Sequence, residues 1–351
     1  MRLANGLSAL AQIIRKEGTF MKSSTRRALS KMMVLLFYFA ISPVEARNTL
    51  SERMVFWESM APRCSAAGFT FPSSETSESK PCGDGDMTLF NGLLCAAGDE
   101  RGCQAVADAQ SDSGEWHRSP RLRTLGYNDR GDATFSPDMA LGVQLYLITK
   151  REREQGWKWL IWLHENVPCT AKSFFSDACW IQGIPRFCAP HQGCTARPGD
   201  LATLSWTVDY LQKNVGMPDL PKGRLRGMLG TFGGVGSYNK ELDAMLNKPG
   251  FSQHLVGVSI WVVRLAGHDD ERMRSAVDTL IERNPNNAFF LYLREGKSDS
   301  VKEKTLATCP SPEKPSEHPL YEWQWERDEQ SKAWKNSNYW DCIFMGKLLI
   351  Q

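Results

Sequence analysis

Residues 134–150, TFSPDMALGVQLYLITK, constrain the fold more than any other stretch of the chain. Ser136 stands where an N-cap belongs, Pro137 at the first helical position and Asp138 in the first turn, ahead of an apolar run that contains Gly142. Apolar residues on most sides of such a segment predict a helix surrounded by protein. The same pattern recurs in 84–95 (DGDMTLFNGLLC), 198–211, 251–263 and 340–349. Each starts on polar residues and carries small ones that would let a second backbone come close. More amphipathic helices are expected between them, at 51–60, 100–110, 152–165, 240–246, 269–283 and 323–334, with a further short helix at 287–294. Segments 111–133, 167–199, 216–236 and 297–319 read as loops or connections. Strand signals are few.

The amino terminus is set apart. Met21 is followed by Lys22, Arg26, Arg27 and Lys31, then by the apolar run 32–41 and by Ser-Pro-Val-Glu-Ala ending at Ala46. A charged region, an apolar region and a small-residue end make a secretory signal starting at Met21 and cleaved after Ala46, and the run falls short of the ~20 apolar residues that span a bilayer. Residues 1–46 are thus a signal region and 47–351 one domain, with no stable membrane span after signal removal and an extracytoplasmic place, periplasmic or secreted.

Removing 1–46 takes seven basic and two acidic residues from the 42 and 40 of the whole chain, leaving 35 against 38 and a net charge of −3. That balance argues against a nucleic-acid partner, which asks for a concentrated basic surface. All ten cysteines follow Ala46, and an even number in an exported chain predicts disulfides. Proximity suggests Cys64 with Cys82, Cys95 with Cys103, two bridges among Cys169, Cys179, Cys188 and Cys194, and Cys309 with Cys342. A zinc site among 169–194 is the rival, weakened by the lack of any C-x-x-C spacing.

The buried segments start near 86, 138, 200, 254, 287 and 341, each after an outer helix, so the chain alternates outer and inner about six times. In this it resembles the six-hairpin, (α/α)6-toroid proteins, a group rich in glycoside hydrolases and polysaccharide lyases. The resemblance covers 51–351 and rests on helix alternation, acids at helix starts and aromatic loops. It implies an all-α toroid of about six hairpins with disulfide-stapled loops, and an active site in a cleft at the inner-helix N-termini.

On that expectation Asp84, Asp86, Asp138 and Asp200 gather around one mouth, with Trp116, His117 and Arg118 of the 111–133 loop above them. Glycoside hydrolysis needs two carboxyl groups flanking the bond, and Asp86 with Asp138 is the first choice of pair, Asp84 the reserve. The plainer alternative is that these acids only cap helices. A lyase would use Arg118 to neutralise a uronate and His117, Tyr127 or Tyr238 as base. Most of the twelve tryptophans suit packing between helix layers, whereas Trp116, Trp180 and Trp323 are placed to stack on a sugar. Glu326, Arg327 and Asp328, beside Trp323, read as an ion-paired helix start. The glycine-rich run 230–236 lacks the Lys-Ser/Thr ending of a phosphate loop, and no H-E-x-x-H, G-x-S-x-G or calcium-loop pattern occurs. Asn128, Asp129 and Asp132 form only a weak cation-binding pattern, so neither cofactor nor metal is expected. Two classes of function follow: an exported carbohydrate-active enzyme, hydrolase or lyase, acting on an oligo- or polysaccharide, and a non-catalytic binding or envelope-associated protein on the same fold.

Overall fold

The computed structural model describes residues 50–74, 82–125, 134–173, 175, 178–188, 192–317 and 333–350. The chain divides into two compact units, Met1–Glu52 and Arg53–Gln351, and of the first only 50–52 are described. The signal region, Tyr127, Asn128, Asp129, Asp132, Trp323, Glu326, Arg327 and Asp328 lie outside the described residues.

The second unit is mostly helical. Helix α1 (50–60) is followed by the antiparallel hairpin β1 (Arg63–Ala66) and β2 (Phe69–Pro72), then by α2 (Met87–Ala96), α3 (Glu100–Asp108), α4 (Pro120–Thr124), α5 (Met139–Lys150) and α6 (Arg153–Glu165). A second antiparallel hairpin, β3 (Cys169–Lys172) and β4 (Cys179–Gln182), precedes α7 (Pro198–Val215), α8 (Arg224–Gly233) and α9 (Gly236–Leu246). The chain closes with α10 (Phe251–Leu265), α11 (Glu271–Arg283), α12 (Ala288–Glu295), α13 (Asp299–Thr308) and α14 (Trp340–Ile350).

Four segments read as loops hold regular structure. The 111–133 segment contains α4, started by Pro120 and capped by the Ser119 hydroxyl, which accepts from the Leu122 N–H at 3.1 Å. The 216–236 segment contains α8 despite its glycines, and 297–319 contains α13, capped by Ser298. The 167–199 segment contains the β3–β4 hairpin, so the fold is not purely α. For α4 and α13 a serine cap, and for the β3–β4 hairpin a disulfide, supplies what hydrophobic periodicity does not; α8 has neither.

Helices α2, α5, α10 and α14 are buried along most of their length, as their composition requires. The tightest pairing is α2 with α5, where Gly92 and Gly142 face each other. A Cβ on Gly92 would strike the Gly142 backbone, and one on Gly142 would strike the Thr88 carbonyl. Further inner contacts run from α5 to α7 and α10, and from α14 back to α2. Trp261 of α10, Phe289 of α12 and Phe344 of α14 meet edge to face at centroid distances of 5.5–5.8 Å, which joins α10, α12 and α14. Helix α1 is tied to α13: the Arg53 guanidinium donates to the carbonyls of Leu306 (3.1 Å), Cys309 (2.8 Å) and Pro310 (2.9 Å) at the C-terminal end of α13.

All ten cysteines are bridged: Cys64–Cys82, Cys95–Cys103, Cys169–Cys179, Cys188–Cys194 and Cys309–Cys342. The proximity pairing therefore holds, and the cluster read between disulfides and zinc resolves into two local bridges. Among the described residues no helix is long and apolar enough to cross a membrane.

The α2–α5 crossing sets a prediction. Gly92→Ala or Gly142→Ala forces backbone apart, whereas overpacking that side chains can absorb costs about 1–3 kcal/mol. Each variant should lose ~3 kcal/mol or more, read as a fall in the urea midpoint at unchanged m; a midpoint within experimental scatter of the parent would refute the close crossing.

Candidate functional site

The N-terminal ends of α2, α5, α7 and α10 converge, and the convergence can be built from single side chains. Arg118 ties α2 to α5: its guanidinium donates to the Thr134 carbonyl (2.5 Å), the Ser136 hydroxyl (2.9 Å), the Asp86 carboxylate (2.5 Å) and the Gly85 carbonyl. The main chain around it is pinned to α2, since the Thr88 N–H donates to the Arg118 carbonyl and the Thr88 hydroxyl to the His117 carbonyl. Asp138 at the start of α5 lies close enough to Arg197 at the start of α7 for its charge to stabilise the guanidinium. At the start of α7, Asp200 accepts from the Arg197 backbone N–H (2.9 Å) and from its Nε (2.9 Å) and Nη2 (3.1 Å).

Between the starts of α5, α7 and α10 lies a cavity of about 480 Å³, lined by Leu141 of α5, Arg197, Gly199, Asp200 and Thr203 at the start of α7, Lys240 and Asp243 of α9, and the first half of α10. Its volume is in the range of small-ligand sites. Lys240 is the unusual group. It is buried at 3% exposure, and its Nζ donates to the Gly199 carbonyl at 3.4 Å. Burial pushes its pKa down to about 8, against the opposing pull of Asp243 and Asp200. Burial holds Asp243 above the ordinary carboxylate range, and Asp200 pushes the same way, while Lys240 and Arg197 oppose them. The Asp243 carboxylate borders the first turn of α7, where Oδ2 lies 3.4 Å from the position a Cβ would take on Gly199. The cavity thus presents two carboxyl groups, an amine poised near neutrality and an exposed guanidinium at its rim.

The residues expected to carry chemistry divide sharply. Trp116 is fully buried: it donates from Nε1 to the Val106 carbonyl at 2.8 Å and meets Tyr146 and Trp159 edge to face, so its ring is not presented to a ligand. His117 is buried beside it rather than standing above a mouth, because its N–H bonds the Ala109 carbonyl and draws the segment inward. Asp84 is buried and doubly held by Arg121 (2.7 Å to each oxygen) and by the Ser119 hydroxyl (2.6 Å). Asp86 keeps 40% side-chain exposure in its pair with Arg118. Neither Asp86 nor Asp138 makes a side-chain capping bond, so capping does not explain them. Asp200 lines the cavity. Trp180 lies on β4, away from the cavity lining, and Tyr238 is exposed on α9 beneath the Arg272 guanidinium.

Lys240, Asp243 and Arg197 carry no recognisable motif. No sequence signal marks them, for α9 is oriented against its residue types: apolar Met245 and Leu246 are exposed while Lys240, three residues before Asp243, is buried. Among the described residues no three His, Cys, Asp or Glu side chains are gathered as a metal site. No family model, curated protein or solved structure matches the chain.

The Lys240 amine has a folded pKa of about 8 against ~10.4 in an unfolded chain, so between those values the unfolded state binds more protons and this group's contribution to stability rises with pH. Lys240→Met should remove that rise. Urea unfolding of both proteins at pH 7 and pH 10 checks it: the variant should be favoured relative to the parent at pH 7, and the advantage should shrink at pH 10. Parallel curves would mean that Lys240 titrates as an ordinary surface lysine.

Proposed function

We propose that the protein is an exported carbohydrate-active enzyme, a glycoside hydrolase on an α/α toroid, that works in the cavity under α9. The observation that carries the reading is the pair Asp243 and Asp200: two carboxyl groups lining one cavity, the first biased toward its protonated form by burial, the second accompanied by Arg197. Such asymmetry divides the roles of general acid and of base or nucleophile. Asp243 is the proposed proton donor and Asp200 its partner, while Lys240 orients hydroxyl groups or the departing oxygen. Asp138 acts on the cavity only through its charge near Arg197, and Asp86 is held outside the lining by Arg118. The toroid reading is supported by the succession α2, α5, α7, α10, α12 and α14, in which neighbours touch and the last returns to the first. Export is supported by the signal-like segment and by five disulfides.

Lyase chemistry is less well served, because Arg118 is engaged by the protein's own acceptors and His117 is buried. A binding protein is the second reading, favoured by the bidentate Arg197–Asp200 pair, which serves helix capping as well as chemistry.

A polysaccharide panel assayed for new reducing ends and for unsaturated uronates separates the three. Reducing ends without unsaturation are expected, with turnover falling about 10²–10⁴-fold in Asp243→Asn and in Asp200→Asn, and only modestly in Asp86→Asn. Binding of a saccharide with no product would favour the second reading, and unsaturated products would favour a lyase.

A further inference from the structure

The cavity under α9 has apolar walls that the proposed reaction does not use. On α9 the lining residues Asn239, Leu242, Asp243 and Leu246 recur at the i, i+3, i+4, i+7 spacing of one helix face, and on α10 Ser252, Leu255, Val256 and Ser259 do the same. The leucines and the valine of these faces, with Leu141 of α5, share one chamber with Arg197, Asp200, Lys240 and Asp243. They also differ in depth. Leu141 and Val256 are 5% and 4% exposed, Leu242 and Leu255 are half-buried, and Leu246 is 76% exposed. Apolar lining therefore runs from the interior out to the surface.

A single exposed leucine needs no explanation. One that continues the apolar lining of a ligand-sized cavity does, because it leaves a connected apolar area in water until a ligand covers it. The charged groups follow the same course inward: the Arg197 side chain is 64% exposed, that of Asp200 14%, and Lys240 is 3% exposed. A ligand filling the chamber thus meets hydrogen-bonding groups and methyl groups along its whole depth.

The apolar groups present select the ligand. The flat C–H faces of a sugar ring match flat aromatic side chains, yet among the described residues that line the cavity none is aromatic. Branched leucine side chains present methyl groups in several directions, which suits a flexible chain of methylenes. The head of the ligand is constrained separately. An acidic head would set a third carboxylate beside Asp200 and Asp243, whereas an uncharged head rich in hydroxyl groups donates to both and accepts from Lys240 and Arg197. We propose that the cavity binds a neutral amphiphile, a saccharide that carries an alkyl chain, with the sugar against Asp200, Asp243 and Lys240 and the chain leaving along Leu242, Leu255 and Leu246. This rests on the reading of the cavity as a saccharide site and names the class of saccharide it takes.

Calorimetric titration of the disulfide-bonded protein at neutral pH tests it with methyl, butyl, hexyl and octyl β-D-glucopyranoside, each kept below its micelle-forming concentration. Affinity should rise about two- to fourfold for each methylene that reaches the leucines. Leu246→Asn, at an exposed position, should leave thermal unfolding and the affinity for methyl glucoside unchanged while weakening octyl glucoside at least ~5-fold; binding of the alkyl chain to any other apolar surface would not respond to this variant. Octanoate, a chain of similar length on a charged head, should bind at least ~10-fold more weakly than octyl glucoside. No measurable binding of octyl glucoside, affinity indifferent to chain length, octyl glucoside affinity unchanged in Leu246→Asn, or octanoate bound as tightly as octyl glucoside would each overturn the proposal. Binding is read without turnover, so such a failure leaves the hydrolase reading standing. Chain-length-dependent binding with no glucose released would instead support the amphiphile and count against the hydrolase.

Discussion

The backbone contact between Gly92 and Gly142 is the constraint from which the rest of the architecture follows. Two helices whose axes approach this closely cannot slide or rotate independently, since any side chain at the crossing would collide with main chain. The register of α2 against α5 is thereby fixed, and with it the proximity of their N-terminal ends. Arg118 can then reach Gly85 and Asp86 on one side and Thr134 and Ser136 on the other. A guanidinium suits this junction because its donors point in several fixed directions within one plane. Leu141, one residue before the crossing glycine, contributes to the cavity wall, so the same contact that closes the core also shapes the site.

The cavity balances unlike charges around a buried amine. The first turn of α7 carries a positive partial charge that favours Asp200, bonded there to Arg197, and Asp243 beside Gly199. Lys240 answers them from α9, but its own burial weakens its hold on the proton. Neither sign dominates: Lys240 and Arg197 face Asp200, Asp243 and, near Arg197, Asp138. A site of this kind suits a polar, neutral ligand rich in hydroxyl groups better than a strongly charged one, because each charged group already has a partner nearby and a second full charge would have to be desolvated against them.

Much of the core was legible in the sequence because it rests on local rules. Asp270 and Asn287 cap α11 and α12 through their own side chains, and the apolar segments with embedded glycines are the buried helices. Cysteine proximity gave three bridges and left two to be divided among Cys169, Cys179, Cys188 and Cys194, which the structure pairs with their nearest neighbours. What sequence reasoning missed depends on partners far along the chain. Trp116 looks like a loop residue until Val106, Tyr146 and Trp159 surround it. Asp84 resembles a helix-start acid, but Arg121 and Ser119 claim it. Lys240 is invisible as a site residue because only the approach of α7 to α9 buries it. Helix α8 and both hairpins escaped because a glycine-rich helix and a four-residue strand carry weak periodicity.

The disulfides sharpen the division of labour. They close separations of 18, 8, 10, 6 and 33 residues, short in a chain of this length. In the chain-entropy picture, short loops gain least from cross-linking, and none of these bridges joins two distant inner helices. The helical core must therefore stand on burial and close packing. Three bridges instead secure local excursions: Cys64–Cys82 from within β1, Cys169–Cys179 within the β3–β4 hairpin, and Cys188–Cys194 on the approach to α7. Cys188 and Cys194 are buried, and the chain from Cys194 leads within three residues to Arg197, so this bridge limits the freedom of the strand that delivers Arg197 and Asp200 to the cavity. Cross-linking has thus been placed where helix packing cannot reach, on irregular segments that must hold a definite shape beside the site or stand exposed.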